Sequence, residues 1–436
     1  MRTIGIDVSP LQGPHRMRGI GQTLANVISN FDDEFREGNK LILFLEGADL
    51  IDDECLSYLN LTGFKFEVKG LKSQKKYDIR LPGKLKLLNS ALQEIHSVKE
   101  SMFGSSRTGS LSGVDVFLQI DQSSSLPRLS RKVKKVLMVH DLIPYVLEWD
   151  YLWNYSTAKQ RGYSWRGALI CVIRRFLYRL KIKCNTSRAD VILSNSELTK
   201  KDFSKYLKVK ESKIKVTTLG SNAVDTGKAV AQYVDCVEFV KSSWGYLPKT
   251  LRIASNDNYL LYVGGVDPRK KMEELVSAFN MLRARGEDIK LVLLGDTMTG
   301  VDSIANTEVR QALSSSSYLD DIVFLGFADE NIKDWLYKNA LAFVFTSRYE
   351  GFGLPVIEAM RYGTPVIAYR NEATFEVAGI YPIYTTGPLE VYRAATGIIH
   401  GGATATKVGG EIEARYHSWE ETSSRIAKVL SELNDD

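Results

Sequence analysis

Several signatures of familiar chemistry are missing from this sequence. The four cysteines, Cys55, Cys171, Cys184 and Cys236, are widely spaced and form no C-x-x-C pair. They read as reduced thiols of a cytoplasmic protein, with no zinc site. No G-x-x-x-x-G-K-[ST] occurs, which removes a P-loop, and no H-E-x-x-H metalloprotease helix occurs. The G-x-S-x-G nucleophile elbow is absent. No Asp-x-Asp is present, which argues against a metal held by that short carboxylate motif, and no metal is expected. No stretch reaches the roughly 18 uninterrupted apolar residues of a spanning helix. The opening residues, MRTIGIDVSP, meet Asp7 after a short apolar run and read as a first strand rather than a signal peptide.

What is present is an ordinary globular composition, 436 residues of which 44% are hydrophobic. At roughly 100–200 residues per domain, two or three domains are expected. The net charge of +5 conceals an asymmetry: residues 1–250 hold 39 Lys and Arg against 26 Asp and Glu, and residues 251–436 hold 18 against 26. Such a split suggests two domains with different partners. The basic half could face anionic lipid, an acidic acceptor or nucleic acid, or be a solvated surface.

The N-terminal half alternates strand-like runs (TIGIDV 3–8, KLILFL 40–45, VDVFLQ 114–119, KKVLMVH 134–140, DVILSN 190–195) with helix-length stretches such as GQTLANVISNF, 21–31. The C-terminal half repeats this with YLLYVGG (259–265), KLVLLGD (290–296), DIVFLGF (321–327), LAFVFTS (341–347) and PVIAYR (365–370). Alternation of this kind predicts parallel sheets covered by helices. FGSSRTGSLSG (103–113) reads as a Gly/Ser-rich loop. We expect an α/β chain with a domain over 1–220, a linker over 221–258, and a second doubly wound domain over 259–417. The helix over 418–433, in a segment 418–436, is expected to pack back on the first domain. Two such halves imply a central cleft, and ligands of open parallel sheets bind at the carboxyl ends of strands.

Strand ends therefore carry the argument. In SRYEGFGLPVIEAM (347–360), Gly351 and Gly353 allow a sharp turn, Pro355 suits a first helical turn, and Gly363 ends the helix. The helix N-terminus presents unpaired amides and partial positive charge, suited to phosphate. Glu350 at the turn and Glu358 inside the helix face different parts of any ligand. This suggests sugar hydroxyls at one and ribose hydroxyls at the other. In YVGGVDPRKKMEEL (262–275) three cations follow Gly264-Gly265, placed to neutralise a leaving diphosphate. In SPLQGPHRMRGIGQTL (9–24) Gly19 and Gly21 lack the third glycine of a dinucleotide fingerprint, which disfavours a nicotinamide enzyme. In VLMVHDLIPY (136–145) His140 and Asp141 end an apolar strand.

With these motifs in place, the sequence resembles the retaining glycosyltransferases of family 4, which have the GT-B fold of two Rossmann-like doubly wound domains facing a cleft. E-G-F-G-L-P-x-x-E-A-M-x-x-G-T-P-V-I at 350–367 matches the family's E-x7-E signature, and D-P-R-K at 267–270 its diphosphate segment. KIKVTTLG (213–220) and SNSELTKKDF (194–203) resemble the end of its N-domain and its S-x-x-T helix start. The H-D-L-I-P and R-G-I-G forms look most like bacterial O-antigen or exopolysaccharide transferases, many of them mannosyltransferases. The resemblance implies that Glu350 contacts the donor sugar and that Gly351, Phe352, Gly353 and Leu354 line the diphosphate. Glu358 would bind ribose, while Lys270 and Arg269 stabilise the leaving group. It further places Gly19, Gly21, Gly265 and Lys271 near the donor, His140 over the sugar, and Phe327 and Ala328 against the base. Many relatives carry an arginine near Gly265; its absence here leaves the diphosphate to Arg269–Lys271. No cofactor is implied, since the nucleotide-diphosphate sugar is a substrate.

Residues 151–189 hold nine Lys or Arg and no acidic residue. GALICVIRRFLYRLKIK (167–183) can lie on an anionic membrane at the inner face of the plasma membrane, where a polyprenyl-linked or glycan acceptor would be found. The alternative is a core helix with outward-reaching cations. LKSQKKYDIRLPGKLKLL (71–88) adds a second basic region, and no nucleic-acid partner is expected. Two other functions compete, a catalytically silent GT-B binding subunit and a GT-B nucleotide-sugar epimerase. The paired glutamates and diphosphate cations argue against the first, and the E-x7-E signature against the second.

Overall fold

Apolar runs bounded by glycine and polar turns become buried parallel strands. The computed structural model describes residues 1–12, 19–46, 56–71, 95, 98–99, 102, 112–151, 154–160, 162–221, 258–295, 298–326, 328, 330–401 and 417–433. The expected linker from 222 onward, the loop over 103–111, the basic stretch over 72–88, Arg16, Arg18 and Phe327 lie outside these residues. The chain divides into two units, Met1–Gly220 with Trp419–Asp436, and Ser221–Ser418.

In the first unit, β1 (Arg2–Asp7), β2 (Asn39–Glu46), β3 (Lys65–Leu71), β4 (Val116–Gln119), β5 (Lys134–Val139), β6 (Val191–Ser194) and β7 (Ile214–Val216) form one sheet. Its order is β3-β2-β1-β4-β5-β6-β7, with all pairings parallel. The direction of winding reverses between β1 and β4. In the second unit, β8 (Tyr259–Val263), β9 (Lys290–Leu294), β10 (Ile322–Gly326), β11 (Ala342–Phe345), β12 (Val366–Tyr369) and β13 (Ile383–Thr385) follow the order β10-β9-β8-β11-β12-β13, again parallel. Here the reversal falls between β8 and β11. Both units are thus Rossmann-like, and each has a topological switch point, the place where such sheets bind ligands.

The sequence reading missed β3 and β13. Both are edge strands: β3 alternates Lys and Glu with Phe66 and Val68, and β13 is three residues long. Edges bury one side less and carry a weaker apolar signature.

The helices that matter below are α1 (Gly19–Ser29), α2 (Trp165–Arg188), α3 (Glu197–Leu207), α4 (Met272–Ala284), α5 (Glu330–Asn339), α6 (Leu354–Arg361), α7 (Glu372–Ala378) and α8 (Trp419–Glu432). In the second unit, Leu275, Val276, Phe279 and Leu282 of α4 pack with Leu260, Tyr262, Leu291 and Leu293 of the sheet. In the first, α8 docks on α1. Ile426 and Leu430 are buried, and Ser423 Oγ donates to the Val27 carbonyl at 3.0 Å. The Arg2 guanidinium donates to the Leu430 and Ser431 carbonyls at 3.0 and 2.9 Å, placing a cation on the negative end of α8. Among the described residues no helix is long and apolar enough to cross a membrane.

Candidate active site

The second unit's switch point gathers most of the residues singled out in the sequence. β8 ends at Val263, β11 ends at Phe345, and the segments leaving them meet. Arg269, in the single turn Pro268–Lys270, forms an ion pair with Glu350; the two side chains are 11% and 14% exposed. The same guanidinium donates to Ser347 Oγ at 3.0 Å and to the Tyr349 carbonyl at 2.9 Å. The Arg348 amide returns a bond to the Arg269 carbonyl at 2.9 Å, and Thr346 Oγ1 donates to the Lys270 carbonyl at 2.6 Å. The two loops are therefore one hydrogen-bonded body.

Charge is balanced tightly there. Burial pushes the Glu350 carboxyl up, but Arg269, Lys270 and the Ser347 hydroxyl outweigh it and hold its pKa below the usual carboxylate value. Glu350 is a carboxylate, an acceptor for hydroxyl donors. Burial pushes the Lys270 ammonium below its ordinary pKa, with Glu350 working in the opposite direction. Lys270 lies against Gly264, whose φ is +149°; a Cβ there would stand 2.4 Å from Lys270 Nζ. The backbone conformation is what calls for glycine, since the Lys270 ammonium is the end of a flexible side chain and can shift. A Cβ at Gly265, by contrast, would meet nothing within 4 Å. Lys271 adopts the left-handed region, φ 47° and ψ 44°, between the Pro268–Lys270 turn and α4, and its Nζ lies 3.4 Å from Glu273.

Gly353, at φ +105°, turns the chain into α6, and no side chain caps this helix. Among the described residues the Phe352, Gly353 and Leu354 amides have no acceptor, so they remain open to a ligand. Phe352 is buried edge-to-face on His417, at 5.7 Å between ring centres, so its side chain fixes the turn rather than meeting a ligand.

Glu358 stands on α6, away from the Glu350 cluster's partners. Its carboxylate accepts from Lys333 Nζ at 3.0 Å and Tyr337 Oη at 2.9 Å. Burial works against the Lys333 charge, but Glu358 and Glu330 overcome it and raise its pKa above the ordinary lysine value. Ala328 is half-buried after β10; Phe327, its expected companion, lies outside the described residues.

Sequence reasoning missed Lys333, Tyr337, Thr346, Ser347 and Asn371. Asn371 Nδ2 donates to the Ser347 carbonyl at 2.9 Å, and its Oδ1 caps α7 through the Thr374 amide. One signal existed: Lys333 and Tyr337 stand at i and i+4, on one face of α5.

His140, Gly19 and Gly21 belong to the first unit. His140 follows β5; its Nε2 lies 2.8 Å from the Ile120 carbonyl beyond β4, and its amide donates to Gln122 Oε1 at 2.9 Å. Burial lowers its pKa, opposed by the Ile120 carbonyl and by Asp141 and Asp121. The ring is thus neutral near pH 7, protonated on Nε2, with Nδ1 left as an acceptor. Asn195 Nδ2 and Thr199 Oγ1, at the Ser196-capped start of α3, both donate to the His140 carbonyl. Gly19 opens α1; a Cβ there would meet nothing within 4 Å, so packing within the described residues does not demand glycine. Gly21 is buried two residues further on.

Two parallel, doubly wound units with a cation-rich, amide-lined switch point define the class: the fold is that of the GT-B glycosyltransferases. Residues 247–380 match the family model described as "Glycosyl transferases group 1". The chain is similar to the O-antigen chain mannosyltransferase B of Escherichia coli, 25% identical over 191 residues, 44% of this chain and 46% of that one. It is 27% identical over 257 residues to the serotype-specific mannosyltransferase WbdA of Escherichia coli, 58% of this chain and 28% of the other. These matches span less than half the length of either relative. Among solved structures, a sucrose-phosphate synthase from Thermosynechococcus elongatus superposes with a TM-score of 0.60 at 16% identity, over 99% of both chains, which speaks to the fold alone.

Proposed function

We propose that this protein is a retaining, metal-independent glycosyltransferase. It moves a sugar, mannose being the first candidate, from a nucleotide-diphosphate donor to a glycan or lipid-linked acceptor in bacterial surface polysaccharide synthesis. The observation that carries this is the joining of Arg269, Lys270 and Glu350 with the open amides of Phe352, Gly353 and Leu354 at one switch point. Cations and amides suit a diphosphate, and a carboxylate held ionised suits sugar hydroxyls. Similarity to O-antigen mannosyltransferases supports the sugar and pathway class.

In this reading the bond between the anomeric carbon and the diphosphate oxygen breaks through an oxocarbenium-like state. The acceptor oxygen bonds to the same face, and its proton passes to the departing phosphate oxygen beside it. No protein nucleophile is needed. Lys270, with Arg269, the Gly351–Leu354 turn and Lys271, stabilises the leaving group. Glu358 holds the ribose with its remaining lone pairs, and Ala328 lies against the base. Gly265 leaves room for the donor; in the first unit, Gly19 and Gly21 are read as backbone contacts to the donor and His140 as an acceptor, through Nδ1, for a sugar hydroxyl. The protein works in the cytoplasm, at the inner face of the plasma membrane, with its basic N-terminal unit toward anionic lipid.

A thermal-shift screen of nucleotide sugars tests the donor, because a true donor stabilises the fold by mass action. Nucleoside diphosphate release should then require an acceptor. Release without acceptor consumption, with the sugar epimerised, would support the epimerase, and no donor binding at all would support a silent subunit.

A further inference from the structure

The outward face of α2 is built the wrong way round for a soluble helix. Trp165, Leu169, Val172, Ile173 and Phe176 are 58%, 48%, 37%, 40% and 65% exposed. At 100° per residue these five fall within one arc of the helix. The inward face carries Gly167, Ala168 and Cys171, of which Ala168 and Cys171 rest with Ala158 and Tyr163 in a small cluster. Large apolar side chains thus face out and small ones face in. The core-helix alternative raised by the sequence is wrong for this half of α2: its apolar residues, not only its cations, are outside.

We propose that this stripe inserts into the interface of an anionic bilayer, with α2 lying in the membrane plane. This deepens the membrane reading above and rests on it; the added claim is apolar insertion rather than charge attraction alone. The stripe spans about 16 Å at 1.5 Å per residue, too short to cross a hydrocarbon core of about 30 Å. Its surroundings are cationic. Among the described residues none of Lys159, Arg166, Lys181 and Lys183 is ion-paired. Arg166 sits over the Trp165 ring, 5.1 Å from its centre, where an interfacial tryptophan and a headgroup-binding cation would be placed together. Arg175 and Arg179 are instead both committed to Glu148, bracing the short helix Glu148–Tyr151 against α2. With no acidic residue between 151 and 189, a second copy of this face would meet like charge, whereas anionic headgroups complement it.

Flotation of the full-length protein with vesicles of phosphatidylcholine, with or without phosphatidylglycerol, tests this. Wild type should bind the anionic vesicles and retain part of that binding in high salt. Leu169→Ser with Phe176→Ser should weaken binding roughly tenfold or more, the scale set by withdrawing two large apolar side chains from lipid. These are solvent-facing positions, and unchanged circular dichroism and melting would verify folding. As an independent measurement, brominated lipid should quench wild-type tryptophan fluorescence, and Trp165→Phe should lose that quenching. Absence of wild-type binding would refute the membrane reading itself. Equal binding by the double variant, abolished by salt, would leave that reading standing and overturn insertion. Dimerisation lost in the double variant would assign the face to a second copy and overturn insertion as well.

Discussion

Replacing Glu350 by glutamine isolates the charge at the centre of the candidate site. The amide keeps the shape and removes the counter-charge from Arg269 and Lys270. Loss of one partner from a buried ion pair costs about 3–5 kcal/mol. Arg269 keeps Ser347 Oγ and the Tyr349 carbonyl as neutral acceptors, which places the cost at the lower end, about 3 kcal/mol. For a unit of this size that lowers the melting transition by about 6–12 °C. The pH dependence follows from the same pair. The folded Glu350 pKa lies below 4.5, so its stabilisation is complete above pH 4.5 and is lost as pH falls through the depressed folded value. Glu350→Gln should lack that acid slope. Lys270, already lowered by burial, loses the neighbour that lifts it, so the alkaline limb of any transfer activity should move to lower pH. Calorimetry across pH 3 to 8 with a pH–rate profile provides the assay. A variant that melts and titrates like wild type would refute the claim that Glu350 is a buried, cation-held carboxylate.

Other expectations follow from single contacts. Lys333→Met leaves Glu358 with Tyr337 alone and should raise donor KM roughly tenfold, about 1.4 kcal/mol, with little change in kcat; equal loss in both would place Lys333 in the chemical step. His140 has a folded pKa below 6.5, so its contribution to stability is complete above pH 6.5 and is lost as pH falls through the folded value. His140→Gln should flatten that slope in calorimetric titrations. Lys271→Gly should leave the melting temperature unchanged or raise it, because relief of about 1 kcal/mol of left-handed strain offsets the extra freedom of the unfolded chain. Lys271→Val, measured alongside, should lower it.

The buried strands were legible because parallel sheets covered on both faces write continuous apolar runs, as VFLQ and AFVF do. The site was legible where glycine, proline and charge cluster within one loop, as at 347–360 and 264–271. It was not legible where contact joins distant segments. Nothing near Arg269 in the chain announces its pairing with Glu350, and nothing near Glu358 announces Lys333. The outward turn of Trp165 and Phe176 was hidden for a related reason. Periodicity identifies an apolar stripe but not which side of the helix the rest of the protein occupies.

The return of α8 to the first unit has a consequence for biosynthesis. The second unit is topologically an insertion: the chain leaves at Gly220 and re-enters at Trp419. Ser221 and Ser418 pair side by side, and the Ser221 amide donates to the His417 carbonyl at 3.0 Å. The insert therefore enters and exits through adjacent strands of chain, which is how one domain can be spliced into another without disturbing its host. Domains usually complete themselves in the order they leave the ribosome. Here the first to emerge is the last to be finished, since the α1 surface that receives Ser423, Ile426 and Leu430 waits until the whole second unit has been made.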